Sequence, residues 1–231
     1  MLQIKNLDKS FGNHEIFQGL NFKVKKGQVY GLIGPNGIGK TTLMKMILGW
    51  DTDFHGEILK EPGSSIGYSP ENPDFPSILT GSQVLEYYME VRGYPKKSRK
   101  KESADLMKLV QLAPDNKTLV CQYSKGMKQR LGLAQAMIGN PDILLLDEPS
   151  AGLDFFGQKM IQKLIQKLKG QGRSILLNSH LLADVNEVID GGIILMGPGK
   201  ARTFEKEEIK EKPLSQIFID FAKEVNYEGL N

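Results

Sequence analysis

The chain reads as an α/β domain with a mainly parallel sheet, an N-terminal antiparallel β arm and a helical subdomain inserted into the core. Three patterns carry this reading. Short apolar runs alternate with helical periodicity, as in Val29–Ile33 before Thr41–Leu48, and later in Ile143–Leu146, Ser174–Leu177 and Ile193–Met196. Apolar and polar residues alternate one by one in Leu2-Gln3-Ile4-Lys5 and in Asn21-Phe22-Lys23-Val24, the mark of half-buried strands. Between Pro70 and Pro141 strand signals are scarce, and Ser82–Val91, Ser98–Leu112 and Gly126–Ile138 have helical patterns.

Taken in order, the two N-terminal strands are followed by a turn at Lys25-Lys26-Gly27-Gln28 and by the strand Val29–Ile33. The next helix, Thr41–Leu48, is stopped by Gly49. A further strand covers Ile66-Gly67-Tyr68. After the helical stretch, the amphipathic set Met160, Ile161, Leu164, Ile165 and Leu168 joins the strands at 143–146 and 174–177. The mixed-charge stretch Glu205–Lys212 precedes Leu214, Ile217, Phe218 and Phe221, spaced as a short terminal helix. The expected division is a core with its β arm at 1–69 and 141–204, a helical subdomain at 70–140 and an extension at 205–231. No internal repeat or long low-complexity segment is visible.

With 231 residues and 40% hydrophobic content, the chain can bury a substantial single core. Thirty basic against 27 acidic residues leave a net charge of +3, too small to argue for a nucleic-acid or membrane surface as the main partner without a local basic patch. The one basic run, Lys96-Lys97-Ser98-Arg99-Lys100-Lys101, reads as a solvated helix start beside Glu102 and Asp105. The single cysteine, Cys121, excludes an internal disulfide and is expected to be a small packing residue. The first residues lack the basic and apolar segments of a secretory signal, and no apolar run approaches the roughly 18 residues of a membrane span. Work at a membrane would need spanning helices from another chain.

Chemistry enters at Gly34-Pro35-Asn36-Gly37-Ile38-Gly39-Lys40-Thr41, between a strand and a helix. This is the context a phosphate-cradling loop requires. Glycines let successive backbone amides point at phosphates, so Gly34, Asn36, Gly37 and Gly39 are expected to wrap the ligand, with the positive end of the following helix behind them. Lys40 would reach the β- and γ-phosphates, the Thr41 hydroxyl would ligate Mg²⁺, and Thr42 could contact the α-phosphate. At Ile143–Glu148 an apolar run suits a strand buried on both faces, with Asp147 at its carboxyl end, where ligands collect in such sheets. Asp147 would hold Mg²⁺ through water. Glu148 would orient and polarise the attacking water as general base.

Tyr123-Ser124-Lys125-Gly126-Met127-Lys128-Gln129-Arg130 lies shortly before that strand, and the three segments together resemble the ATP-binding subunit of an ABC transporter over nearly the whole chain. The resemblance implies a P-loop NTPase core with ATP and Mg²⁺ as ligands. It implies that Ser124 and Gly126 contact the γ-phosphate held by an opposite subunit, with Lys125 standing where many members have glycine. It likens Ser150–Asp154 to a loop crossing the dimer interface, His180 to a switch histidine at the γ-phosphate and Phe11 to the aromatic that stacks on adenine. Glu71 departs from the glutamine usual after this strand. It is expected to sense Mg²⁺ and to link the site to a permease, a substitution resembling bacterial exporters of drugs or antimicrobial peptides.

The implied function is Mg²⁺-dependent ATP hydrolysis, with Glu148, His180 and Lys40 as catalytic residues. The implied setting is the cytoplasmic face of the membrane, peripheral, beside a transmembrane permease on a separate chain. The cassette would pair with itself or with a second ATPase chain. A soluble ATP-gated scaffold and a regulator with little turnover are the competing readings.

Overall fold

The computed structural model describes residues 1–180, 182–227 and 229. The last residues of the expected extension, 228, 230 and 231, lie outside them. The N-terminal arm is a three-stranded antiparallel sheet in which β1 (Leu2–Phe11) lies between β2 (His14–Val24) and β4 (His55–Lys60). The main sheet joins β3 (Val29–Ile33), β5 (Ile66–Ser69), β6 (Ile143–Asp147), β7 (Ser174–Asn178), β8 (Gly191–Gly197) and β9 (Lys200–Glu205) in the order β5-β6-β7-β3-β8-β9. All its pairings are parallel except that of the edge strand β9. Helix α1 (Lys40–Leu48) follows β3, and α2 (Gly81–Val91), α3 (Lys96–Leu109) and α4 (Lys125–Ala136) lie between β5 and β6. The chain then forms α5 (Phe155–Gly170), α6 (Leu182–Asn186), α7 (Lys206–Glu211) and α8 (Leu214–Glu224).

The parallel strands divide two cores by simple alternation. Ile143, Leu145, Leu176, Ile193 and Leu195 pack with α1 and the arm, whereas Leu144, Leu146, Ile175, Leu177 and Ile194 face the opposite side with α2–α5 and α8. This explains why β6 is an unbroken apolar run: both of its faces are buried. Leu43, Met44 and Ile47 enclose α1 between the two sheets, which fixes the direction in which its N-terminus points.

Several expectations change here. The arm strands are much longer than their alternating segments, because Asn6 adopts φ 46° and the β1–β2 register shifts after Ile4. Alternation is therefore legible only up to the first irregularity. Strands β4 and β9 escape the sequence because they are largely exposed and bury little apolar surface; in β9 only Phe204 is buried. Cys121 is exposed, contrary to the packing role expected of it; the 3-10 turn Val120–Gln122 turns Val120 inward instead. The helix expected over 98–112 runs over 96–109, and its Lys96, Lys97, Lys100 and Lys101 are solvent-exposed. The terminal helix forms as expected, with Leu214, Ile217 and Phe221 buried.

The helical stretch is seated on the core at one tight crossing. A Cβ at Gly67 of β5 would stand 1.9 Å from the Ala136 carbonyl oxygen at the end of α4 and 2.9 Å from Pro141. Both obstacles are held by backbone, so neither yields cheaply. Gly67→Ala is expected to destabilise by about 2–4 kcal/mol, a cost typical of overpacking, seen as a melting temperature roughly 5–15 °C lower in thermal denaturation.

Candidate nucleotide-binding site

Asn36, Gly37, Gly39, Lys40, Thr41, Thr42, Glu71, Glu148, Asn178 and His180 line one cavity of about 320 Å³ at the carboxyl ends of the parallel strands. Residues drawn from four separate stretches of the sequence thus converge there. The glycine loop is shaped partly by its neighbours. A Cβ at Gly34 would meet Leu195 O at 2.5 Å, and one at Gly39 would meet Ile16 and Phe17 at 2.4 and 2.9 Å. Gly37 has open space around it but a φ of +80°, so its requirement is conformational. Two of the three glycines are thus demanded by β8 and the arm, in addition to any demand from phosphate.

Lys40 is buried, and its ammonium donates to the carbonyls of Gly34 and Pro35 at 2.7 and 2.8 Å. Burial lowers its pKa, opposed by the charges of Glu148, Asp147 and Glu71. A cation curled over its own loop and surrounded by three carboxylates is suited to an anion that can enter between them.

Asp147 is buried and collects hydrogen bonds from three elements. Thr41 Oγ1 donates to it at 2.9 Å, the Tyr68 hydroxyl at 3.4 Å, and the Asn178 side-chain amide caps the other carboxylate oxygen. Burial and the Asp147 charge push the Tyr68 phenol pKa up, so the phenol remains a donor. Among the described residues no three His, Cys, Asp or Glu side chains are grouped to hold a metal alone. The oxygen set of Thr41 and Asp147 instead fits Mg²⁺, which takes one or two protein oxygens together with phosphate oxygens and water. Thr41, Asp147 and Glu71, which lines the same cavity, are the residues that would hold it or its waters.

Glu148 has φ +50°, a conformation that costs a non-glycine residue energy and must be enforced by its surroundings. Its N–H donates to Asn178 O at 2.9 Å, and its carbonyl accepts from Ala151 N at 3.0 Å and from the buried Gln129 amide at 3.4 Å. The carboxylate stands 2.8 Å from His180 Nδ1 and accepts the His180 backbone N–H at 3.3 Å. The arrangement points a half-held carboxylate into the cavity, the geometry of a group able to orient water.

Ser124 and Gly126 lie elsewhere. They line a separate cavity of about 590 Å³ with Lys125, Gly152, Leu153, Asp154 and Phe156. Ser124 is the N-cap of α4, its hydroxyl accepting the Met127 N–H at 3.2 Å, and Asp154 caps α5 by accepting from Gly157 N at 2.8 Å. Lys125, at the departure from the usual glycine, lies across Gly152, whose Cβ would stand 3.0 Å from Lys125 Cδ. Phe11 does not line the 320 Å³ cavity; it stands 53% exposed at the end of β1.

Sequence reading missed Asn178, Tyr68 and Gln129. Asn178 was traceable in principle, since it ends a strand beside the acidic one and pairs with Asp147 in register. Tyr68 and Gln129 carried no local signal.

A glycine loop joining a parallel strand to a helix, with a carboxylate at the end of a parallel strand two places across the same sheet, defines a P-loop nucleotide-binding protein. Residues 17–151, more than half of the chain, match the ABC transporter family, ABC_tran. An uncharacterized ABC transporter ATP-binding protein of Synechocystis is 40% identical over 78% of this chain, which spans only 54% of that relative's length. The lantibiotic transport ATP-binding protein SrtF of Streptococcus pyogenes is 36% identical over 94% of this chain and 96% of its own. In three dimensions, a solved ATP-binding subunit of an ABC transporter superposes with a TM-score of 0.84 over 96% of this chain and 99% of that one, at 24% identity. A dimeric ATP-binding cassette in a post-hydrolysis state, bound to ADP and Pi, gives 0.79 over 89% and 99%, at 23% identity. The chain belongs to the ABC transporter family.

Replacing the held carboxylate tests whether binding and chemistry separate at this site. Glu148→Gln is expected to lower steady-state phosphate release at least about a hundredfold, the scale of a lost general base, while ATP affinity measured by calorimetry stays within about threefold.

Proposed function

We propose that the chain is the ATP-hydrolysing subunit of an ABC exporter, working in pairs at the cytoplasmic face of a membrane and driving a permease on a separate chain. One observation carries this reading. The Lys40 cavity and the Ser124 cavity are separate within the chain, so a γ-phosphate seated by the first can meet the second only if another cassette supplies it. Two such chains related by a two-fold axis would each complete the other's site.

In this reading Lys40 and the loop amides bind the β- and γ-phosphates, and Thr42 contacts the α-phosphate. Glu148 takes a proton from the attacking water, and His180 holds that carboxylate and contacts the γ-phosphate. Thr41 and Asp147 would hold Mg²⁺, which would supply charge neutralisation for the phosphates. Ser124 and Gly126 of the opposing cassette close over the γ-phosphate, and Asp154 meets its counterpart across the interface. Phe11 stacks on the base. The cassette spans the chain, with 70–140 as its helical subdomain.

Glu71 sits in the nucleotide cavity at the start of a segment that ends near α2, and Ile78, Tyr87 and Val91 beyond it are exposed apolar side chains available to a membrane partner. Among the described residues no helix is long and apolar enough to cross a membrane. The resemblance to SrtF supports peptide antibiotics as the class of cargo.

Two experiments test this. Affinity purification of the tagged chain from detergent-solubilised native membranes is expected to recover a stoichiometric multi-span protein; recovery with soluble partners alone would replace the exporter reading by an ATP-gated scaffold. Glu71→Ala is expected to weaken stimulation of the ATPase by the permease in reconstituted vesicles by about fivefold or more, the scale of a typical coupling free energy. Unchanged turnover and unchanged coupling would remove Glu71 from the link.

A further inference from the structure

Lys9 stands two residues before Phe11 on β1, so their side chains leave the same face of the strand. The Lys9 side chain is 2% exposed. Its ammonium is held by Asp51 Oδ1 at 3.0 Å, the Asp53 carbonyl at 2.6 Å and Asp53 Oδ2 at 3.4 Å. The same ammonium lies 4.5 Å from the centroid of the Phe11 ring, while Phe11 itself remains 53% exposed. The ring thus lies against a buried cation while about half of the residue stays open to solvent.

Burying an ammonium is costly, and burial alone would push it toward its neutral form. The two carboxylates outweigh that effect and hold its pKa above the ordinary lysine range, so the cation persists at neutral pH. A fixed cation under a ring limits the ring's rotation and draws π density toward itself. The face away from the cation is left electron-poor, which favours stacking by an electron-rich purine. The loop that supplies Asp51 also carries Trp50, whose indole meets Tyr68 edge-on at 5.4 Å, and Tyr68 donates to Asp147. The seat of Lys9 is therefore continuous with the carboxylate cluster at the other end of the site.

We propose that Lys9 is the positioning residue of the base platform: seated by Asp51 and Asp53, it orients Phe11 and prepares its far face for a purine. This rests on the reading of Phe11 as the residue that stacks on adenine.

Calorimetric titration of the full chain with MgATP and with magnesium tripolyphosphate, which offers phosphates but no base, tests it. Lys9→Met is expected to weaken MgATP about five- to tenfold, the scale of a partly desolvated cation–π contact, and to leave tripolyphosphate within about twofold. Lys9→Arg, which keeps the cation, should restore most of the MgATP affinity. In a Phe11→Leu background Lys9→Met should add no further loss. Equal losses for both ligands, or a full Lys9→Met loss on top of Phe11→Leu, would reduce Lys9 to a structural tie and overturn the proposal. Should Lys9→Met fail to fold, Asp51→Asn loosens the ammonium without deleting it and must give the same base-dependent loss; a loss equal for both ligands, or none, overturns the proposal. Phe11→Leu alone separates the two readings. Unchanged MgATP affinity there removes the stacking role and Lys9 with it, whereas a loss with Phe11→Leu and none with Lys9→Met removes Lys9 alone.

Discussion

The Asp147 carboxylate is the knot on which the rest of the site depends. It ends β6, and it accepts hydrogen bonds from Thr41 at the start of α1, Tyr68 on β5 and Asn178 at the end of β7. A buried carboxylate is tolerated only when its oxygens are satisfied, so the four elements must arrive together. Because α1 is enclosed between the arm and the main sheet, its N-terminus cannot drift from that carboxylate without disturbing both cores. The phosphate loop lies between β3 and α1 and inherits its shape from these two anchors.

Strain and close packing are concentrated around this knot. Glu148, the next residue, holds a left-handed backbone because β7 and α4 grip its amide and carbonyl. Gln129 reaches its carbonyl from α4, the helix that Ser124 caps, so the helix start at the second cavity and the residue facing the first are tied through one buried side chain. Gly67 lets the far end of the same helix press onto β5. Movement of the helical segment would therefore be felt at Glu148 through packing and hydrogen bonds, the kind of contiguous contact that can transmit a conformational change.

The segments that form the candidate site were readable from the linear chain because each is local. The glycine loop, the apolar strand ending in Asp147-Glu148 and the capped helix at Ser124 are each a few residues long and sit in a recognisable strand or helix context. The parallel strands were legible for a similar reason: burial on both faces writes a continuous apolar run. Strands β4 and β9 were not, since nearly all their side chains face water, and the arm strands faded where bulges break the alternation. Cys121 was misjudged because a single thiol in a tight turn gives no sign of which way it points.

Residue identity and local pattern thus marked out the candidate groups, and the alternation of strands and helices decided the broad architecture. How those groups meet was settled by contacts that local pattern cannot encode. Thr41 and Asp147 are 106 positions apart, Tyr68 and Asp147 are 79, and Lys9 is 42 from the aspartate that seats it. The separation of the Lys40 and Ser124 cavities is a property of the same kind. Such pairings depend on how two sheets and an enclosed helix pack, and the cost of burying unsatisfied polar groups selects among packings only after the chain has closed on itself.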